Sequence, residues 1–443
     1  MKLHINTLFK FLTIVIITVG IMPSCNKDLP VAEPIKPTSP SGSSIMETLD
    51  DPNYSFLKAA VTRASTVPSP TGKLSTLLAD KSGVFTFFAP DDNAFKTSFT
   101  LLGLPADISS INFFRPGQLD TIIKYHLIGG QAYTSALITP VFPNLNLYLQ
   151  SSFVLAPPSA TLPPGLRMPI FIGKQGPMLF ANNIPVIQPD IAVANGIIHK
   201  IAFVLLPPSQ VLWQRIATDP DLTYLAAAIQ KADEGDSAKT LESALKNPAA
   251  NLTVFAPSNL AFQQLLTGQI TQALIPIVIQ QLIPVITQQL IAGGATPAEA
   301  DAAAPGLAAA QAPAIAQAQA AGLASTPAVF TNPALASVLT PQTVKGLVVY
   351  HILGNRAFTV NLPATAANYP TLLNSPNAIP THPGVGLQAT FGPMGVTAAT
   401  VKGAANPTAS NIQINPTPAP GGTSDQHYIN GTLHKIDQVL RPL

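Results

Sequence analysis

Charged side chains are scarce in this sequence. Only 10% of its 443 residues are Asp, Glu, Lys or Arg, whereas an average soluble protein has about 25%. The 23 basic and 21 acidic residues leave a net charge of +2, so no charge excess favours nucleic acid as a partner. The mean hydropathy is +0.31, yet we identify no uninterrupted apolar stretch of membrane-spanning length after the first residues. The composition therefore predicts a soluble protein with apolar loops.

The sequence also lacks the short motifs of common enzyme classes. It contains no Gly-x-Ser-x-Gly, His-Glu-x-x-His, phosphate-binding loop or Gly-x-Gly-x-x-Gly pattern. With 7 histidines and few acids, groupings of catalytic side chains are scarce. We therefore predict a binding or adhesion protein that is not an enzyme and needs no cofactor. The alternative is an accessory protein or hydrolase that acts on an extracellular polymer, such as a glycan, through its long loops.

Cysteine occurs once, at position 25. It follows two lysines and the short uncharged run Phe11–Ile21, which is the arrangement of a cleavable export signal. Ser24 and Cys25 resemble the lipobox of bacterial lipoproteins, in which the cysteine carries the lipid. We predict a signal peptide at residues 1–24, lipid on Cys25, and attachment to the bacterial outer membrane through this anchor alone.

Residues 25–44 are predicted to be a tether. Proline recurs in this stretch and Ser41-Gly42-Ser43-Ser44 ends it, and such a composition forms an extended spacer, not a core. Lys27-Asp28 resembles in part the tag that routes some Bacteroidetes lipoproteins to the cell surface. This pair favours exposure on the cell surface over a position facing the periplasm.

Three motifs occur twice in the same order, which predicts two similar domains. The copies are Phe87–Phe95 and Val254–Phe262, Tyr125–Ile128 and Tyr350–Leu353, and Asn195–Ile201 and Asn430–Ile436. In the first motif, β-branched and aromatic residues predict a buried strand that ends at Ala-Pro. The polar pair that follows predicts the N-cap of a helix. In the third motif, Asn-Gly between apolar runs predicts a hairpin.

These motifs resemble the signature blocks of the fasciclin (FAS1) family. The resemblance implies an α+β fold with two tandem FAS1-type domains, each a wedge of two β-sheets with helices packed along one edge. We place the domains at residues 45–208 and 209–443, each opened by a helix at Ser55–Ala60 or Thr223–Ala228. The family implies adhesion, matrix attachment or ligand binding, so we expect a cell-surface or extracellular protein or glycan as partner.

The resemblance also points to particular residues. In animal members of the family, the Tyr-His region and an Asp-Ile pair before the Asn-Gly turn are linked to integrin contact. The matching positions are Tyr125, His126, Asp190, Ile191, Asn195 and His199 in the first repeat, and Tyr350, His351, Asn430 and His434 in the second. We find no Asp-Ile pair before Asn430. We interpret these positions as structural, and we predict no catalytic residue among them.

The second repeat carries a long insert at about residues 267–328. The only charged side chains in it are Glu299 and Asp301, and its second part is rich in Ala and Gln, which favours helix. Two Ile-Pro steps, at Pro276 and Pro284, predict a kinked or broken helix. Repeated Gln pairs make a poor lipid-facing surface. The insert is either a helical element packed on its own domain or an apolar contact surface for a partner.

Long loops elsewhere are candidates for binding specificity. In the first repeat they include Ala156-Pro157-Pro158 and Leu162–Gly165, and in the second they span Asn368–Gly422.

One pattern offers a weak metal site. If Asn430-Gly431 is a two-residue turn, His427 and His434 lie opposite each other, with Asp425 on the same face. Two histidines and an acid could bind a divalent metal or respond to pH. The alternative, which we favour, is one buried family histidine and one solvated neighbour, with no metal.

Overall fold

The computed structural model describes residues 41–67, 72–138, 148–154, 167–374, 379–393, 395–415 and 422–442. Residues Ser41–Leu443 form one compact unit. The predicted signal peptide, Cys25 and most of the tether 25–44 lie outside the described residues, as do the proline-rich segments 156–158 and 162–165.

The first repeat, up to residue 201, has most of its helices in the first half and most of its strands in the second. Its helices are α1 (Ile45–Thr48), α2 (Ser55–Ala64), α3 (Leu74–Ala79), α4 (Asp92–Leu101) and α5 (Pro116–Tyr125). Its strands are β1 (Phe85–Pro90), β2 (Leu127–Gly129), β3 (Tyr148–Val154), β4 (Arg167–Gln175), β5 (Met178–Ala181), β6 (Ile184–Val193) and β7 (Gly196–Ile201). They form a sheet of order β2-β1-β7-β6-β5-β4-β3, in which β1 and β7 are parallel.

The second repeat has the same plan with a large insertion. Its helices are α6 (Leu212–Thr218), α7 (Thr223–Ala232), α8 (Thr240–Lys246), α9 (Asn259–Ala292), α10 (Pro297–Leu323) and α11 (Pro341–Tyr350). Its strands are β8 (Leu252–Pro257), β9 (Ile352–Leu353), β10 (Ala367–Tyr369), β11 (Val385–Gly392), β12 (Gly395–Lys402), β13 (Ser410–Ile412), β14 (Gln426–Tyr428) and β15 (Gly431–Ile436). The order is β10-β11-β12-β13-β15-β8-β9, with β14 also paired to β15. Strands β8 and β15 are parallel, as β1 and β7 are.

Short 3-10 helices occur in both repeats. They span Pro52–Tyr54, Ile108–Phe113, Ser135–Leu137, Pro327–Thr331, Pro333–Leu335, Thr359–Asn361 and Leu372–Asn374.

The elements predicted from the first motif are confirmed. Strands β1 and β8 are buried throughout and each ends at its proline. Asp91 caps α4 by accepting from the N–H of Ala94, and Ser258 caps α9 by accepting from the N–H of Ala261. The helices predicted at Ser55–Ala60 and Thr223–Ala228 are part of α2 and α7, but a shorter helix, α1 or α6, precedes each of them and opens the repeat. The α+β fold class with two tandem repeats is therefore confirmed.

Alternate residues of the central strands face two cores, as the two-residue period of a strand requires. In the first repeat, Phe87 packs against the helices and Phe88 packs on the other side of the sheet. In the second, Val254 and Phe255 divide in the same way. Each sheet is thus covered on both faces.

The insert is an antiparallel pair of long helices. Leu266 and Ile270 of α9 and Ala320 of α10 belong to the core of the second repeat, and farther out α9 packs against α10. Of the kink or break predicted at Pro276 and Pro284, the break is wrong, because α9 continues through both prolines. Both rings lie on exposed positions, where a carbonyl that has lost its N–H partner can still reach water.

Helix α9 is apolar on average, although glutamines interrupt its apolar run. Among the residues that the structure describes, it is the one helix long and apolar enough to cross a membrane by length and composition.

Candidate ligand-binding site between the two repeats

His126, at the end of α5, connects that helix to Leu205 in the segment after β7. Its Nδ1–H donates to the carbonyl of Ile122 at 2.7 Å, and its Nε2 accepts from the N–H of Leu205 at 2.9 Å. His351 makes the same two contacts, with Leu347 and Leu440, at 2.8 Å each. Burial lowers the pKa of both histidines to about 4. Both are therefore neutral and structural.

His199 and His434 also repeat their contacts. Nε2–H of His199 donates to the carbonyl of Tyr133, and Nδ1 accepts from the N–H of Asp190. His434 pairs in the same way with the carbonyl of Ala357 and the N–H of Asp425. Burial lowers the pKa of His199. Because both nitrogens of each ring are bonded to backbone, neither histidine can abstract a proton from a ligand as placed.

Asp190 and Asp425 are structural counterparts, although an Asp-Ile pair occurs only in the first repeat. Both have left-handed backbones, with φ of 61° and 53°. The Asp190 carboxylate accepts from the N–H and hydroxyl of Ser135, and that of Asp425 accepts from the N–H and hydroxyl of Thr359. Ile191 packs at the edge of the helix-side core. A sequence signal existed, since each acid stands the same distance before its Asn-Gly.

The predicted register of the Asn-Gly hairpins is wrong by two residues. Tyr428 pairs with Gly431 and His427 pairs with Thr432, so the turn is Ile429-Asn430 and His434 lies opposite Asp425. The metal site suggested for Asp425, His427 and His434 depended on that register and is not formed. Both ring nitrogens of His434 bond to backbone groups, and those of His427 contact Tyr125 and Arg356. Within the described ranges, no group of three His, Cys, Asp or Glu side chains could hold a metal ion.

Asn195 and Asn430 join the turn to the start of each repeat. The side-chain oxygen of Asn195 accepts from the N–H of Ile45, and its amide donates to the carbonyl of Leu78. Asn430 bonds likewise to Leu212 and Leu245. These amides hold the first helix of each repeat against the central strand, and the Asn positions are therefore structural.

The two motif tyrosines do not have the same role. Tyr350 donates to the carbonyl of Gly384 within the second repeat. Tyr125 donates to the carbonyl of Pro169 and accepts from Asn182, but its oxygen also lies 3.4 Å from Nδ1 of His427. Tyr125 therefore joins the first repeat to the second.

Arg356 is the centre of this junction and was not singled out from the sequence. Its buried guanidinium donates to Nε2 of His427 at 2.5 Å and to the carbonyls of Tyr428 and Ile429. It also lies 4.6 Å from the ring centroid of Phe171 in the first repeat, within cation–π range. Burial lowers the pKa of Arg356 to about 9, so the group stays protonated at neutral pH.

His427 connects Arg356 to Tyr125. Since Nε2 accepts from Arg356, Nδ1 carries the proton and donates toward Tyr125. Burial and the charge of Arg356 lower the pKa of His427 well below the ordinary value. Phe171 and Phe180 of the first repeat pack with Phe358 and Val360 of the second beside this network.

A cleft of about 640 Å³ opens next to the junction, between the two repeats. Amide, hydroxyl and proline side chains make up half of its lining, among them Gln118, Thr121, Asn183, Pro207, Gln210 and Gln426, and aliphatic and aromatic side chains such as Phe114, Ile184 and Leu206 make up much of the rest. The charged residues of the lining, Arg215 and Asp425, each have protein partners. The cleft therefore offers donors and acceptors with little net charge.

The repeated sheets and contacts define the class of molecule as a tandem pair of α+β domains. Residues 65–207 match the family model of the fasciclin domain, so the first repeat is a fasciclin domain. The second has the same strand plan and the same histidine and asparagine contacts. The chain therefore carries a fasciclin domain, followed by a second repeat built on the same plan.

Comparison with solved structures gives a FAS1 domain pair. A FAS1 domain pair from the insect cell adhesion molecule fasciclin I aligns over 87% of this chain and 95% of that chain, with 13% identity and a TM-score of 0.27. No curated protein sequence matches.

Proposed function

We propose that this protein is an adhesion or ligand-binding protein that presents two FAS1-type modules and has no catalytic chemistry. Fasciclin domains occur in adhesion-type proteins. One observation carries the proposal for this chain: every histidine within the described ranges has both ring nitrogens in contact with protein groups. His382 completes the set, since its Nε2–H donates to the carbonyl of Pro442 and its Nδ1 accepts from the N–H of Gly384. These rings support the scaffold and leave binding to the cleft and loops.

The cleft between the repeats is the proposed ligand site. Its amide and hydroxyl groups both donate and accept, and they match the hydroxyls of a glycan or the backbone of a peptide. A cleft that lacks net charge gives no advantage to an anionic or cationic ligand. The proposed ligand is therefore a neutral glycan or an extended peptide segment of a surface protein.

A steric substitution tests the site. Thr121 is a partly exposed residue of α5 in the cleft wall, and Thr121→Trp should fill part of the cleft. Thr97→Trp is the matched control, because Thr97 is an exposed residue of α4. On an array of neutral glycans and peptides, we expect binding by the wild type and Thr97→Trp, and at least about 10-fold weaker binding by Thr121→Trp.

The same array distinguishes the alternatives. No binding by the wild type to any glycan or peptide would refute the ligand-binding proposal, and equal binding by both tryptophan variants would remove the cleft from it. Mass spectrometry of the recovered ligand decides the chemistry. An unchanged ligand supports a non-catalytic protein, whereas a shortened one would establish the hydrolase alternative.

We further propose that the modules are lipid-anchored in the bacterial outer membrane, exposed on the cell surface. The support is the short apolar run and the Ser24-Cys25 step that follows it. Metabolic labelling with a fatty acid should label the wild type and leave Cys25→Ala unlabelled, with Ser24→Ala as a control that retains a small residue and the label. Equal labelling of the wild type and Cys25→Ala would contradict the anchor, and resistance of labelled protein to protease on intact cells would contradict surface exposure.

A further inference from the structure

The α9–α10 hairpin is almost free of charge. From Asn247 to Val344 the only charged side chains are Glu299 and Asp301, and both lie in the first turn or two of α10, near the tip. An exposed helical hairpin of a monomeric protein ordinarily carries charges on its outer surface. The absence of charge along most of two long helices indicates that this surface meets something other than bulk water.

The seam between the two helices is regular. On α10, a buried alanine occurs at every fourth position, at residues 300, 304, 308, 312, 316 and 320. Val278 of α9 packs with Ala312 and Ala316, and Ile286 packs with Ala304 and Ala308. This order shows that the helices are antiparallel. Alanine lets the two backbones approach closely, so the helices are in close contact along the whole seam and its residues are buried.

One face of the hairpin lies beside this seam. In antiparallel helices, the residues that immediately precede the seam positions point to the same side. Four large aliphatic side chains occupy such positions, and their exposed fractions are 52% for Ile277, 48% for Val285, 43% for Leu307 and 36% for Ile315. Residues four positions further along each helix share this face. They are the exposed residues Gln281, Gln289, Gln311 and Gln319.

The face is therefore built in rows. The seam contacts place Ile277 level with Ile315, and Val285 level with Leu307. Gln281 and Gln311 then form a row of amides between two rows of aliphatic side chains. We call the surface made by these six residues the hairpin face.

We propose that the hairpin face binds the hairpin face of a second copy of this chain, giving a symmetric dimer held by a four-helix bundle. In a two-fold arrangement, aliphatic rows meet aliphatic rows and the amide row meets its own copy. An amide is self-complementary because it donates through nitrogen and accepts through oxygen. A charged residue at the same place would repel its symmetry mate.

The chemistry of the face favours a second copy over other partners. A lipid bilayer would leave the glutamines without hydrogen-bond partners. A glycan could hydrogen-bond to the amides of this face, but its hydroxyls would not cover the four exposed aliphatic side chains. Glu299, near the tip, is the one charged residue that precedes a seam position, so a charged partner would find little complementary charge on this side of the hairpin.

The size of the face also suits a dimer. About 20 residues of each helix extend beyond the core, which gives a length of about 30 Å and a width of about 20 Å for two helices. Each copy would bury about 600 Å², or about 1,200 Å² in total, at the lower end of stable specific interfaces.

Sedimentation equilibrium on the chain from residue 25 onward, with Cys25→Ser to remove the lipid, tests the proposal. We expect a dimer for this parent and at least about 100-fold weaker association for Val285→Lys/Leu307→Lys, which places four ammonium groups in the dimer core. The matched control is Gln280→Lys/Ala314→Lys, which adds the same charge at exposed positions on the outer sides of the same helices. The control should remain dimeric.

A second variant guards against misfolding of the first. Gln281→Glu/Gln311→Glu changes only exposed amides, so it should keep the circular dichroism spectrum of the parent and still dissociate at neutral pH. A monomeric parent at about 100 µM would overturn the proposal, and a dimer that persists in both face variants would move the interface elsewhere. A parent that is monomeric in buffer and floats with phosphatidylethanolamine–phosphatidylglycerol vesicles would overturn it in favour of lipid.

Discussion

Replacing Arg356 with methionine is expected to lower the free energy of unfolding by about 2–4 kcal/mol. The guanidinium is buried, and its partners are the neutral groups of His427, Tyr428, Ile429 and Asn251. Methionine fills a similar volume but donates no hydrogen bond, so two backbone carbonyls would be left buried and unsatisfied. Loss of the contact with Phe171 would also loosen the junction between the repeats. Urea denaturation followed by circular dichroism would measure the change.

Two further variants make the result specific. Arg115 is an exposed arginine at the start of α5, and Arg115→Met should change the unfolding free energy by less than about 0.5 kcal/mol. Arg356→Lys should recover only part of the loss, because an ammonium group cannot reproduce the fork that reaches both carbonyls. If Arg356→Met unfolds at the wild-type urea concentration, the junction contributes nothing to stability and our account of it is wrong.

The repeated elements could be predicted from the sequence because their signals are local. A run such as Thr86-Phe87-Phe88, closed by Ala-Pro and followed by Asp91, contains strand, strand end and helix cap within a few residues. The second copy, with Ser258 as the cap, repeats the pattern. A histidine that recurs in the same motif is predicted to be structural, and His199 and His434 make matching contacts with backbone carbonyls.

The hairpin register could not be predicted, because distant contacts set it. Asn-Gly indicates a turn centred on those two residues. In the fold, the Asn195 amide is used to bind the N–H of Ile45. Gly196 is already in β7, where a Cβ atom would lie 1.9 Å from the carbonyl oxygen of Phe85. The glycine permits the close approach of two parallel strands. The two turn residues therefore lie one position earlier than predicted, which shifts each cross-strand partner by two residues.

The junction between the repeats was also beyond sequence reasoning. Arg356 belongs to no recognisable motif. Its partners lie in β14, in the turn that follows β14, and in β4 of the other repeat. Tyr125 and Tyr350 match in sequence, yet only Tyr125 lies against the other repeat. The difference arises from the order of the domains in the chain, which a comparison of motifs does not contain.

Mild acid is expected to destabilise the protein between about pH 6.5 and pH 4, and more strongly than any single substitution above. Burial holds the pKa of His126 and His351 at about 4 in the folded state, against an ordinary value of 6.5. As the pH falls through this window, the unfolded chain takes up a proton at each position and the folded chain does not, so acid favours unfolding. Each histidine should contribute a loss of about 3 kcal/mol, and the pair about 6 kcal/mol, by pH 4.

The pH range from 6.5 to 4 distinguishes the effect of the histidines from that of the carboxylates. Hydrogen bonds to Ser135 lower the pKa of Asp190 below 3.8 despite some burial, so its stabilisation is lost only at more acidic pH. Urea denaturation at pH 7, 6, 5 and 4 would measure the slope. His126→Asn and His351→Asn should each be less stable than the wild type at pH 7, since the amide keeps the bond to Ile122 or Leu347 but not the one from Leu205 or Leu440. Each should also lose about 3 kcal/mol less than the wild type between pH 7 and pH 4. A wild type whose stability is flat across this range would show that the two rings are protonated without cost, and therefore that they are not buried as the fold places them.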